Sequence, residues 1–120
     1  MISFELDEAA GVLTVRPEGE GFEVSFTLAN SGAMGGIEVP QLYLGPPDSP
    51  PAAMPPRALA DFRAVELAPG ERREVTLEIS TRSLSYWSET THDWVVAPGI
   101  RPIFVGSSSR DIRLRGTTGG

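Results

Sequence analysis

The chain predicts an all-β fold, a two-sheet antiparallel sandwich of seven or eight strands. Three observations predict it. Apolar and polar residues alternate in several short runs, the period of a strand with one covered face. Turn chemistry separates these runs, and glycine (13) and proline (11) are both abundant. Almost no stretch favours a helix, and many short strands between turns are the pattern of two packed sheets. With 120 residues there is material for one core and not for two.

Taken in order, Phe4-Glu5-Leu6 predicts a short first strand. Val12-Leu13-Thr14-Val15 predicts a second, ended by Arg16-Pro17-Glu18-Gly19. In the next run Phe22, Val24, Phe26 and Leu28 share one face, and Glu23, Ser25 and Thr27 share the other. Asn30-Ser31-Gly32 closes it, because Asn and Gly tolerate positive φ. Gly36 to Leu44 is the most β-prone run of the chain, apolar on both faces, and predicts a strand covered on both sides. Pro40 sits inside it. A proline cannot donate to a ladder, so it predicts an edge or a bulge and one missing hydrogen bond.

Gly45 to Pro56 holds six prolines and predicts a long, stiff connection without helix. It is either a surface crossover between sheets or a loop that contacts a neighbouring domain. Arg57 to Leu67 fits neither period well and predicts a bulged strand, although Ala, Leu and Arg would also suit a helix. Ala68-Pro69-Gly70-Glu71 is a turn, and Val75, Leu77 and Ile79 alternate with Glu74, Thr76 and Glu78. Thr81 to Trp87 predicts a single helical turn capped by Thr81 or Ser83. Asp93 to Val96, Ile103 to Val105 and a last strand around Ile112 and Leu114 complete the set. Residues 1–116 form the expected sandwich, and Thr117-Thr118-Gly119-Gly120 a flexible tail.

Composition excludes several functions. The net charge is −6 and the pI about 4.7, so no basic face is expected for nucleic acid or for an anionic membrane. The absence of cysteine removes disulfides, thiolate nucleophiles and thiolate metal sites. No run approaches a transmembrane helix in length. The acidic start, Met1 to Glu8, lacks the basic region of a signal peptide. The compartment stays open: cytoplasmic or exported.

No catalytic residue is expected. The single histidine, His92, has no nucleophile or orienting carboxylate in any known pattern and is expected in an exposed loop. One His and sixteen scattered acids give no metal-ligand spacing, so neither metal nor cofactor is expected. Gly106-Ser107-Ser108-Ser109 lacks the Lys and helix of a phosphate loop and predicts a β-turn. Candidate binding residues, for sugar or for a docking domain, are Trp87, Trp94 and Tyr86, with Pro50 and Pro51 of the proline loop. Trp94 is expected to plug the core; Trp87, among polar neighbours, is open between core and surface.

Gly36-Ile37-Glu38-Val39-Pro40-Gln41-Leu42-Tyr43-Leu44 resembles the G-x-E-V-x-Q-L-Y-V strand of the fibronectin type III-like domain at the C-terminus of glycoside hydrolase family 3 enzymes, the β-glucosidases, β-xylosidases and relatives. Val24 to Gly32 is similar to that family's V-x-V-x-N-T-G strand and turn. Pro56 to Glu71 is similar to its P-x-x-x-L-x-G-F-x-K-V-x-L-x-P-G-E block. Leu84-Ser85-Tyr86-Trp87 with Trp94-Val95-Val96 is similar to its L-S-x-W and W-x-V elements. Pro98-Gly99 through Val105 to Ile112 is similar to its P-G … V-G-x-S-S-x-D-I ending. The departures are Pro40 for an aliphatic residue, Asp61 for Gly, and Arg101-Pro102 where an aromatic is usual.

The resemblance implies an immunoglobulin/fibronectin type III-like sandwich. It implies a non-catalytic accessory domain, with the nucleophile and acid/base in other domains of a β-glucosidase-like enzyme. The implied partners are those catalytic domains, in cis or in trans. A stand-alone carbohydrate-binding module using exposed Trp residues is the alternative.

Overall fold

The computed structural model describes residues 2–5 and 13–118. Twelve strand segments are present among them: β1 (Ile2–Glu5), β2 (Thr14–Glu18), β3 (Gly21–Asn30), β4 (Gly36–Glu38), β5 (Gln41–Leu44), β6 (Ala58–Phe62), β7 (Val65–Leu67), β8 (Arg72–Ile79), β9 (Ser85–Ser88), β10 (Asp93–Val96), β11 (Pro102–Ser108) and β12 (Asp111–Thr117). All pairings are antiparallel. In the first sheet β8 runs along one edge of β3, while β1 and β2 share the other, end to end. The second has the order β12-β11-β5-β6. The β4–β7 pair continues the β5–β6 ladder in the same register, from Gly36↔Leu67 to Gln41↔Phe62.

That ladder breaks at Pro40, as its missing N–H requires. The local link across the gap is Arg63 N donating to the Pro40 carbonyl at 3.3 Å. The run is therefore two segments rather than one central strand. Its second half is covered on both sides, with Leu42, Tyr43 and Leu44 buried. Its first half is not, since Ile37 is exposed. The predicted bulge opposite it exists: Leu42 faces Asp61 but Tyr43 faces Leu59, leaving Ala60 as the extra residue.

The core lies between the two sheets. Val24, Phe26, Leu28, Val75, Leu77 and Ile79 come from the first sheet. Leu42, Leu44, Val65, Leu67, Ile103, Val105 and Leu114 come from the second. The alternations read in β3 and β8 thus point inward as predicted. Burying each of these side chains contributes about 1.5–3 kcal/mol.

Three expectations are corrected at the boundaries. The turn expected at Arg16-Pro17-Glu18-Gly19 begins only at Gly19 (φ +58), because β2 lies at an edge that tolerates Pro17. Tyr86 and Trp87 belong to β9 and not to a helical turn. Turn hydrogen bonds, Leu84 N to Thr81 O and Ser85 N to Arg82 O, end just before them. Thr117 closes β12, and the Thr118 N–H donates to the Arg101 carbonyl at 3.0 Å. Leu6, Val12, Gly119 and Gly120 lie outside the described residues.

The β-turn expected at Gly106-Ser107-Ser108-Ser109 lies later: Gly106 to Ser108 continue β11, bulged against β12, and the chain turns at Ser109 and Arg110. Ser107 Oγ donates to Asp111 at 2.5 Å, and Ser108 Oγ accepts from the Arg110 and Asp111 N–H groups. Arg113 grips the same carboxylate through Nε and Nη2. The Arg113 and Ser107 hydrogen bonds hold the Asp111 carboxyl down to about 2. A carboxyl depressed in the folded state contributes stability above its ordinary pKa and loses it as pH falls toward about 2.

Candidate functional site

A buried arginine organises one end of the sandwich. Arg101 is 4% exposed. Its Nε donates to the Gly45 carbonyl at 2.6 Å and its Nη1 to the Leu84 carbonyl at 3.1 Å. Its backbone N–H donates to Thr118 Oγ1 at 2.9 Å. Burial lowers its pKa from the usual value, but an arginine stays charged at neutral pH. The side chain ties the root of the proline loop to the start of β9, and the backbone of the same residue adds the end of β12. The sequence marked Arg101 only as a departure from the family pattern.

The β9–β10 hairpin rises from this end. Trp87 faces Trp94 directly across it, and Tyr86 faces Val95. Cross-strand partners share a face and neighbours in a strand do not, so Tyr86 lies opposite the two indoles. The rings meet edge to face, with centroids 5.7 Å apart at 72°. Trp87 and Trp94 are 44% and 43% exposed. Trp94 is therefore not the core plug that was expected. Its strand belongs to a two-stranded ribbon outside both main sheets, and Leu84, before β9, packs in the core instead. The Arg82 guanidinium stands 3.6 Å from the Trp94 ring centre, a cation–π contact of about 0.5–1 kcal/mol at an exposed site.

The proline loop starts at the same end. Gly45 N donates to the Pro102 carbonyl at 2.9 Å, and Pro47 packs against the Gly99 turn. An open hollow of about 480 Å³ separates Pro47, Asp48 and Ser49 from Pro98, Gly99 and Ile100. Pro50 and Pro51 are exposed farther along the loop. His92 is exposed and adopts φ 52 in the β9–β10 turn, a position of backbone geometry.

Strand register also assembles groups that the linear sequence kept apart. Glu18, Glu23 and Glu78 bring carboxylate oxygens within 4.8 Å of one another, since Glu23 lies opposite Glu78 in the ladder. A hydrogen bond to Glu23, with its charge, raises the Glu18 pKa. A raised carboxyl pKa means repulsion at neutral pH that is relieved as pH falls through it. Glu18→Gln should accordingly raise Tm slightly at pH 7, and the gain should vanish below about pH 4. Scanning calorimetry at both pH values checks this. Asp61, another departure from the family pattern, accepts the Glu78 N–H at 2.9 Å and so caps the open edge of β8 with a side chain from the second sheet.

Known proteins with this fold fit the same picture. Residues 38–109 match the model of the fibronectin type III-like domain. The chain is 51% identical over 94 residues, 78% of its length, to the probable β-glucosidase D of Aspergillus flavus. It is similar to the crystal structure of a β-glucosidase from Streptomyces venezuelae in complex with D-glucose, with TM-score 0.87, 33% identity and 98% of the chain covered. The β-D-glucoside glucohydrolase of Trichoderma reesei matches with TM-score 0.85, 33% identity and 98% coverage. The chain spans 12% of the A. flavus relative, 14% of the S. venezuelae chain and 18% of the T. reesei chain. With the family model covering more than half of its residues and the sandwich preserved around them, the chain belongs to the fibronectin type III-like domain family.

Proposed function

We propose that this domain is a non-catalytic accessory module of a β-glucosidase, docking on the catalytic part of the enzyme and stabilising it. The observation that carries this reading is the proportion of the match. The fold aligns over 98% of its length with 14% of a much longer β-glucosidase chain. The exposed Trp87, Trp94 and Arg82 are residue types that anchor protein interfaces.

Glycosidases work with two carboxylates across a site that holds the sugar. The carboxylate trio at Glu18 stands on an outward sheet face, with Glu18 and Glu78 exposed, which supports a non-catalytic role. The isolated chain should therefore not hydrolyse an aryl β-glucoside above the buffer rate. Saturable hydrolysis that Glu78→Gln abolishes would contradict the proposal.

Exposure of both indoles favours one other reading, a sugar-binding platform. Their geometry opposes it. A flat platform needs open, roughly coplanar rings, whereas these stand at 72° and Arg82 occupies one face of Trp94. Titration with cello- and xylo-oligosaccharides should leave the Trp fluorescence unchanged; a saturating response lost in Trp87→Ala would favour the sugar module.

A further inference from the structure

The outward faces of the two sheets differ in kind. That of the first sheet is polar, with Glu23, Ser25 and Thr27 of β3 beside Glu74, Thr76 and Glu78 of β8. This is the alternation of a sheet with one face in water. The second sheet breaks the rule. Leu42, Val65 and Leu67 point into the core, so their strand neighbours point out. Those neighbours include Ile37, Phe62 and, through the Tyr43 pairing, Leu59, which are 67%, 60% and 51% exposed. One sheet is built for solvent, and the other presents an apolar strip along β4 and β6.

A cationic cluster borders the strip. Across the sheet Arg115, Phe104, Tyr43 and Leu59 form one row. Arg115 and Arg57 both lie over the Phe104 ring, 5.4 and 4.7 Å from its centre. Arg57 is fixed by a 2.7 Å hydrogen bond to the Ser109 carbonyl. Among the described residues Arg16, Arg72, Arg73 and Arg113 each pair with a carboxylate, while Arg57 and Arg115, like Arg63, Arg82, Arg101 and Arg110, do not; what sets Arg57 and Arg115 apart is that both converge on one ring of this face. An open hollow of about 520 Å³, lined by Pro56, Arg57, Phe104 and Ser109, lies beside them. Two unpaired guanidiniums in a chain of net charge −6 select for carboxylates on whatever covers the strip.

Building on the accessory-module reading, we infer that this outward face is the docking surface. Its occupant is the rest of a β-glucosidase polypeptide, presenting an apolar ridge to Phe62 and Leu59 and carboxylates to Arg57 and Arg115. The matched segment is only 12% of the A. flavus relative, so such a chain has ample further polypeptide to cover the face. A second copy is a poorer occupant, since two bodies of charge −6 repel.

The test places the chain in the A. flavus relative, in place of its matching segment, and compares it with the isolated chain. Leu59→Ser with Phe62→Ser should leave the unfolding midpoint of the isolated chain almost unchanged, and Arg57→Glu with Arg115→Glu should lower it only slightly, through the Ser109 hydrogen bond and the Phe104 contacts they give up. In the chimera each pair should shorten the thermal-inactivation half-life about tenfold, the effect of losing an interface hot spot. Equal effects in both contexts would overturn the assignment. So would sensitivity confined to Trp87→Ser with Trp94→Ser, or an isolated chain that light scattering finds dimeric and Phe62→Ser makes monomeric. A wild-type chimera no more durable than the relative without the segment would instead overturn the docking reading beneath it.

Discussion

Arg101→Ala should destabilise the isolated domain by about 3 kcal/mol and lower its Tm by roughly 10 °C. The substitution removes two charge-assisted hydrogen bonds and leaves the carbonyls of Gly45 and Leu84 without them. A neutral backbone partner cannot be redesigned away, so an apolar replacement such as Arg101→Met leaves the Gly45 carbonyl without a donor and the Leu84 carbonyl with only the Ala97 N–H, and should recover little. Arg101→Lys keeps the charge but presents one compact ammonium where a fork is needed, so it should recover only part. The loss should be local first. Amide exchange should accelerate at Gly45 and Ala97, whose N–H groups bond to Pro102 and Leu84 around the arginine. A Tm within a degree or two of wild type would contradict the structural role given to this residue.

Gly106→Ala should be at least as damaging, costing about 3 kcal/mol or preventing folding. A Cβ there would sit 2.0 Å from the Asp111 carbonyl oxygen and 2.9 Å from Ile112 Cα. Both obstacles are backbone, so no rotamer change relieves them. The backbone has little freedom to retreat, because β11 is hydrogen-bonded to β5 on its other edge and Gly106 faces Gln41 there. Urea unfolding of the variant measures the loss, with the exposed Ser109→Ala as a control expected near wild type. An unchanged midpoint would mean that the β11–β12 bulge is looser than the structure indicates.

These two sites show what the sequence could and could not reveal. The core alternation in β3 and β8, the break at Pro40 and the bulge after Arg57 were legible because each is local: a period, a missing donor, an ill-fitting pattern. Gly106 was read as turn chemistry, whereas it lies within β11 at a bulge, and the close approach of Asp111 depends on register. Arg101 was visible only as an odd residue, because its partners lie 56 and 17 positions away. Trp94 was misplaced for a related reason. A strand tryptophan fits a sandwich core, and nothing local says that β9 and β10 form a separate ribbon outside it. The carboxylate trio, the Asp61 cap on β8 and the two arginines over Phe104 exist only once strands are paired. The candidate residues were thus half legible: the indoles of the β9–β10 ribbon could be named, but the arginine pair and the apolar strip of the second sheet could not.

The central claim is that the domain serves a larger enzyme by docking on it. The most direct measurement is the thermal-inactivation half-life of three forms of the A. flavus relative: intact, lacking the segment that matches this chain, and carrying this chain in that place. Deletion should shorten the half-life and this chain should restore most of it, with the KM for an aryl β-glucoside little changed. A deletion form as durable as the intact enzyme, or a chimera no better than the deletion, would contradict it.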